Sequence, residues 1–295
     1  MKPLVSICIP TYNGASYLQE ALDSVNAQTY EHIEVIISDD MSSDDTLVIL
    51  ERFCESSIIP IYILEHTPSG IGANWNHTLQ NANGEFIKFL FQDDILAPEC
   101  IEELVEVISA STRIGLVASK RSFIVESSQT EEVDRWIAMY GNLQASFEEQ
   151  EKLTKLDSDF IGREDFLDPP FNKVGEPPVT LFRKSLLDEI GFFDEDLRQI
   201  LDYTFYYRVL KKYDIVILNK ELAKFRLHDK QATNVNRHQQ IDDHERYDEI
   251  LYNEFYSYLH PVHKKRLYKK FSYKARLKRL VKRIFKKLKQ NEKRV

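Results

Sequence analysis

Four short apolar runs, residues 4–9, 33–38, 61–64 and 85–91, punctuate the first hundred positions. Each has the length of a buried strand and is followed by polar or turn-forming residues. The stretches between them follow a different period. Over residues 15–28, Tyr17, Leu18, Ala21, Leu22 and Val25 fall on one helical face. Ser42 and Ser43 precede Asp44 and Asp45, a good helix start, and that helix is expected to run to about Glu55. Gly70 and Gly72 mark a loop before a helix near residues 74–81, and Pro98 opens the next helix. This alternation predicts an α/β fold with a mainly parallel central sheet and helices on both faces.

The second half is less regular. Residues 114–119 and 215–218 read as strands and residues 201–211 as a helix. Residues 131–155 read as a polar helix of weak periodicity. Pro169-Pro170 and Pro177-Pro178 frame a loop, and from His238 the pattern is helical to the end. No internal repeat is visible.

Composition adds two constraints. Cys8, Cys54 and Cys100 are far apart and sit in apolar runs, so they match neither a metal spacing nor a disulfide framework. Together with the lack of a signal-peptide pattern at Met1-Lys2-Pro3, this points to a reducing cytosol. No apolar run reaches bilayer-spanning length. The formal charge of −8 is unevenly distributed: residues 264–295 carry 16 Lys or Arg and one acid, Glu292, which leaves −23 on the other 263 residues. An acidic body with a basic tail suggests a tail with its own anionic partner. That body would be repelled by phosphates, which speaks against nucleic acid.

Candidate chemistry collects where strands end. Ligands of open α/β sheets bind outside the carboxyl ends of the strands. The first strand ends in Pro10-Thr11-Tyr12-Asn13, the second in Asp39-Asp40 and the fourth in Asp93-Asp94. No glycine-rich phosphate loop follows the first strand. A diphosphate there needs another counter-charge, and Mg²⁺ or Mn²⁺ held by one or two carboxylates is the usual one. Asp93 and Asp94, two adjacent acids closing an apolar strand, fit that need.

Three segments then carry a resemblance. "VSICIPTYNGASYLQEALDSVNAQTYEHIEVIISDDMSSDDT" resembles the amino-terminal signature of the inverting family 2 glycosyltransferases, which have the GT-A fold. "NANGEFIKFLFQDDILAP" is similar to that family's metal-binding segment, and "GFFDEDLRQILDYTFYYRVL" to its catalytic-base segment. The likeness runs in order over roughly residues 3–230. It implies that Tyr12, beside Pro10, Thr11 and Asn13, packs on the nucleotide base. It implies that Asp40, next to Asp39, reads the base edge, that Asp93 contacts the ribose or sugar, and that Asp94 binds the metal. It implies Asp202 as general base, with His228 near the metal and diphosphate. Four positions depart from the pattern: Phe91 and Leu201 stand where acids are common, Met41 where Gly is common, and Trp75, kept by its position as a nucleotide-sugar contact, where Arg is common.

Read without the resemblance, Asp202 is a solvated helix residue, Trp75 a packing residue and Glu176 a loop acid, while His228 is as readily a surface histidine as a ligand. With it, the expected protein is a GT-A-like domain with a helical carboxyl-terminal extension. Residues 1–97 form the nucleotide-sugar-binding half, residues 98–230 the acceptor-binding and catalytic half, and residues 231–295 the basic tail. The expected reaction is transfer from a nucleotide diphosphate sugar to a glycan or lipid-linked hydroxyl in bacterial surface-polysaccharide synthesis. The rivals are an inactive nucleotide-sugar-binding protein and a nucleotidyltransferase. The tail adds an expectation of its own. Leu277, Leu280, Val281, Ile284, Phe285 and Leu288 recur at helical steps among lysines and arginines, an interfacial pattern that suits the anionic inner face of a membrane.

Overall fold

β1 (Val5–Thr11) lies at the heart of the sheet, with β2 (Ile33–Asp39) and β4 (Phe86–Phe89) as parallel neighbours. All seven residues of β2 and all four of β4 are buried. That is why apolar residues fill both faces of these strands without strict alternation: a parallel sheet is covered on both faces, and charged residues it buries, such as Glu34 and Lys88, are hydrogen-bonded. The elements are those of a computed structural model that describes residues 2–125, 131–147, 152–229, 231, 241–275, 277 and 281.

Between these strands run α1 (Leu18–Asn26), α2 (Thr46–Ser56), β3 (Ile61–Glu65) and α3 (Ile71–Asn81). α1 buries Leu18, Ala21, Leu22 and Val25, the face expected from the spacing. After β4 come β5 (Ile95–Leu96), α4 (Cys100–Ser109), β6 (Ile114–Val125), α5 (Glu131–Tyr140) and β7 (Leu153–Leu156). α6 (Ser158–Ile161), β8 (Thr180–Arg183), α7 (Leu186–Ile190), α8 (Leu201–Leu210) and β9 (Asp214–Leu227) follow. The sheet order is β3-β2-β1-β4-β8-β6-β9-β5, with β7 also on β9. Most paired residues lie in parallel ladders, while β8, β5 and β7 are antiparallel to their neighbours.

Three differences from the expected elements have tertiary causes. The helix read over residues 131–155 stops at Tyr140, because residues 153–156 pair with Ile215–Leu218 of β9 instead. The strand read at 215–218 extends to Leu227, since β6 runs beside it to Val125. β8 passed unnoticed as four residues after a proline pair, yet it joins β4 to β6.

The chain forms two compact units. The first comprises Met1–Ser158 with Asp168–Gln240 and holds the sheet. The second comprises Asp159–Leu167 with Ile241–Val295. Its described helices are α9 (Asp243–Ile250), a π-helical turn (Leu251–Phe255) and α10 (Pro261–Phe271). Within it, Arg266 and Lys270 pair with Asp248 at 3.0 and 2.8 Å, and His263 Nε2 meets Glu164 O at 2.7 Å. Of the tail's expected apolar stripe, only Leu277 and Val281 are among the described residues, both exposed. Among the described residues no helix is long and apolar enough to cross a membrane.

Candidate active site

Parallel pairing sets Thr11 beside Asp39 at the carboxyl edge of the sheet. Asp39 is 1% exposed, and both its oxygens are occupied. Oδ2 accepts from Thr11 Oγ1 and Ser42 Oγ, and Oδ1 accepts from the Ser42 N–H, each at 2.7 Å. Asp39 therefore builds the loop, with three of its roughly four acceptor sites taken by the protein. Asn13 braces the same loop: its Oδ1 accepts from Ser43 N at 2.8 Å and its N–H donates to Ser42 Oγ at 2.8 Å. Asn13 (φ 47°) and Met41 (φ 56°) are left-handed. Asn tolerates that region, while Met stores on the order of 1 kcal/mol of strain there. The latter explains why glycine is the residue expected at position 41.

Tyr12 leaves the end of β1 with its side chain open to solvent, 56% exposed. Its backbone is fixed by Gln92, whose Oε1 accepts from Tyr12 N at 2.9 Å and whose Nε2 donates to Tyr12 O at 3.1 Å. This pair ties the end of β1 to the segment after β4. A Cβ on Gly14 would stand 2.3 Å from Gln92 Oε1, so a side chain there would displace the Gln92 amide from its two bonds to Tyr12. Pro10, in β1, sits two residues before Tyr12 and opposite Ser38.

Asp40 is buried against His66, whose Nδ1 contacts Asp40 Oδ1. Burial pushes the Asp40 carboxyl up, and His66 opposes that shift. His66 packs on His77 at 4.9 Å between ring centroids, and His77 Nδ1 meets Ser38 Oγ at 2.8 Å. Burial pushes His77 down.

Asp93 and Asp94 occupy the corner between β4 and β5. Because β5 pairs with β9, Arg226 is brought to this corner. Its N–H donates to Asp94 Oδ1 at 3.0 Å and its Nε to Asp93 O at 2.9 Å. Its guanidinium also reaches Glu20 Oε2 at 2.8 Å and lies over the Tyr17 ring. Asp94 Oδ2 is buried and has no hydrogen-bond partner among the described residues. Burial first, and then the Asp93 charge, push the Asp94 carboxyl well above the usual range. His228 reaches the corner as expected, but its Nε2 lies 3.0 Å from Asp93 Oδ2 and not on Asp94. Among the described residues no three His, Cys, Asp or Glu side chains converge on one point. The orphaned Asp94 oxygen still suits Mg²⁺ or Mn²⁺, which take one or two carboxylates and complete their shell with phosphate and water.

Asp202 begins α8. Its Oδ1 accepts from Tyr203 N and its Oδ2 from Asn172 Nδ2, both at 2.8 Å. Burial first, and then the Glu176 charge, raise its carboxyl while these N–H donors lower it, and together they bring it to about 7. The Glu176 charge also acts on Asp94, which links the two carboxyl sites. Trp75 does not face the crevice: it is 4% exposed, packed among Phe89, Phe91 and Phe193. A tryptophan in place of an arginine turns inward because its large apolar surface gains more from burial than from solvent.

Several participants went unrecognised in the sequence. His66 follows β3, Arg226 ends β9, and Asn172 lies in an irregular loop. Only Arg226 left a trace, since Lys224, Arg226 and His228 alternate with Ala223, Phe225 and Leu227. A separate cavity of about 560 Å³, lined by Leu79, Gly84, Glu85, Arg183, Lys184 and Phe192, opens at the amino end of β4, away from these carboxylates.

Residues 6–191 match the family model described as glycosyl transferase family 2. An uncharacterised glycosyltransferase of Rickettsia typhi is 28% identical over 232 residues, 79% of this chain and 66% of that protein. The chain therefore spans about two thirds of that relative's length. Among solved structures, Staphylococcus aureus TarS 1–349 in complex with UDP superposes with a TM-score of 0.59 at 20% identity, covering 91% of this chain and 72% of that one. A mannosyltransferase of Pyrobaculum calidifontis with GDP-Man and Mn²⁺ gives 0.58 at 19%, covering 79% and 59%. At these identities the structures bear on the fold alone, and the fold they share is GT-A.

The Asp202 carboxyl makes stability depend on pH. It holds its proton to about pH 7 when folded, against an ordinary value of 3.8. The folded state thus binds the proton more tightly, and its advantage is full below about pH 4 and lost as pH rises through 7. Asp202→Asn removes the dependence. The variant should gain on the wild type by a few kcal/mol between pH 5 and pH 8, read from denaturant unfolding at both. An unchanged gap between the two proteins would show that Asp202 titrates normally.

Proposed function

The chain belongs to glycosyl transferase family 2, and from that premise we propose that it is a metal-dependent inverting glycosyltransferase. It moves a sugar from a nucleoside diphosphate sugar, first a UDP-sugar, to a hydroxyl of a glycan or lipid-linked acceptor in bacterial surface-polysaccharide assembly. One observation carries the reading: a single unit holds both an orphaned buried carboxylate oxygen on Asp94 and an aimed carboxyl near 7 on Asp202. The first suits a cation on a diphosphate. The second suits a base working near neutral pH.

In this reading the open Tyr12 ring receives the nucleobase, Asp40 accepts from its edge, and Asp93 meets the ribose or sugar. Asp94 holds Mg²⁺ or Mn²⁺, with His228 beside Asp93 as the second side chain of that corner. Bound there, the cation supplies positive charge to the leaving diphosphate. Asp202 takes the proton from the acceptor hydroxyl. The acceptor oxygen forms its bond to the anomeric carbon as the bond to the diphosphate breaks. One displacement with one base inverts that carbon. TarS was solved with UDP and the mannosyltransferase with GDP-Man and Mn²⁺, which supports the donor class.

The basic tail fits a peripheral place on the cytoplasmic membrane face, where each base near an anionic leaflet contributes on the order of 1 kcal/mol. The full chain should co-sediment with phosphatidylserine-containing vesicles at low salt and be released at high salt. Failure to bind at low salt would give the tail another purpose.

The catalytic reading is tested with a panel of nucleotide sugars, scoring metal-dependent release of nucleoside diphosphate. Asp94→Ala should lose metal-dependent donor binding, and chelator should do the same to the wild type. Asp202→Asn should bind donor normally and lose about two orders of magnitude or more in rate. Donor affinity that ignores metal would remove Asp94 from its role, and near-normal turnover by Asp202→Asn would remove the base.

A further inference from the structure

Asn172 belongs to none of the three resembling segments, yet all its side-chain polar atoms are committed at the site. Nδ2 donates to Asp202 Oδ2 at 2.8 Å and to Gly175 O at 2.9 Å. Oδ1 accepts from the N–H groups of Val174 at 3.1 Å and Gly175 at 2.8 Å. Reversing the amide would set its NH₂ against two N–H donors, so its direction is fixed. Gly175 has φ +129°, and a Cβ there would stand 2.4 Å from Val179 Cγ2, so this tight turn requires glycine. The turn delivers Glu176, whose Oε2 lies 2.9 Å from Arg121 Nε. Arg121 is itself buried, over the rings of Phe123 and Phe225, and donates to Tyr140 O at 2.9 Å. Beyond Glu176, the buried Lys88 ammonium donates to Pro178 O and so anchors the turn to β4.

Resting on the reading of Asp202 as the base, we propose that the turn from Asn172 to Glu176 is the positioning element of that carboxylate. Asn172 aims it, and Glu176, gripped by Arg121, sets the charge beside it. The two ends act oppositely on the proton. The Asn172 N–H stabilises the charged carboxylate, and the Glu176 charge opposes it. The other groups facing Asp202 are the Tyr203 N–H and the Tyr206 hydroxyl of its own helix. Lys173, in the turn, directs its ammonium to Asp168 O and Pro170 O at 2.9 and 3.1 Å.

The test is a carboxyl ¹³C NMR titration of the full chain without metal, with the Asp202 signal assigned by its absence in Asp202→Asn. Asn172→Ala should raise the Asp202 midpoint and Glu176→Gln should lower it, each by about one pH unit. Asn172→Ser replaces Asn172→Ala if the latter does not fold, and Glu176→Gln keeps the shape of the side chain. With the donor found in the panel, the acid limb of kcat/KM should move the same way in each variant. Folded variants that titrate with the wild type, or both in one direction, would overturn the proposal. Full activity of Asp202→Asn would instead remove the base assignment and leave the titration result standing, so the two failures are distinguishable.

Discussion

The site is governed by an excess of buried carboxyl groups over cations. Asp40, Asp94 and Asp202 are all held above their ordinary range, and burial is the largest cause for each. The buried cations nearby do not balance them: Arg121 is paired with Glu176, and Lys173 directs its ammonium to the carbonyls of Asp168 and Pro170. Lys88 is pushed down by its own burial and directs its ammonium to the carbonyls of Phe89 and Pro178. The Arg226 guanidinium is engaged by Glu20, by the Asp93 carbonyl and by the Tyr17 ring. A folded chain would be more stable with fewer acids here, because an unpaired buried charge costs several kcal/mol. Such a cost is tolerated where a ligand supplies the missing charge.

The topology makes this crowding unavoidable. Parallel pairing of β1, β2 and β4 brings their carboxyl ends to one edge, so acids far apart in the chain become neighbours. β5 then pairs with β9 and fixes the corner that holds Asp93 and Asp94. Gln92 ties that corner to Tyr12, and Glu176 couples it electrostatically to Asp202. A side chain at Gly14 would displace the Gln92 amide, and one at Gly175 would meet Val179.

Much of this was legible from patterning. The parallel half of the sheet follows from four apolar runs of strand length, and the acids follow from where those runs stop. What was not legible came from long-range pairing. Residues 153–156 have no strong strand signal of their own and become β7 only because β9 offers an edge. Asn172 and His66 lie in loops, where no period marks which way a side chain turns. Asp39 looked like a ligand-binding acid beside Asp40, but hydrogen bonds from Thr11 and Ser42 take most of its acceptor sites. Trp75 read as a donor contact by position, and its apolar surface placed it in the core.

Burial and the Asp93 charge favour the protonated form of Asp94, so a cation bound there favours release of a proton. Titration calorimetry of Mn²⁺ with UDP, and of Mn²⁺ with GDP, in buffers of differing ionisation enthalpy measures that release directly. It is best done at pH 7.5, where the nucleotide phosphates, with a pKa of about 6, are already ionised. The account expects net proton release on binding. Binding of either nucleotide with no protons released would contradict it.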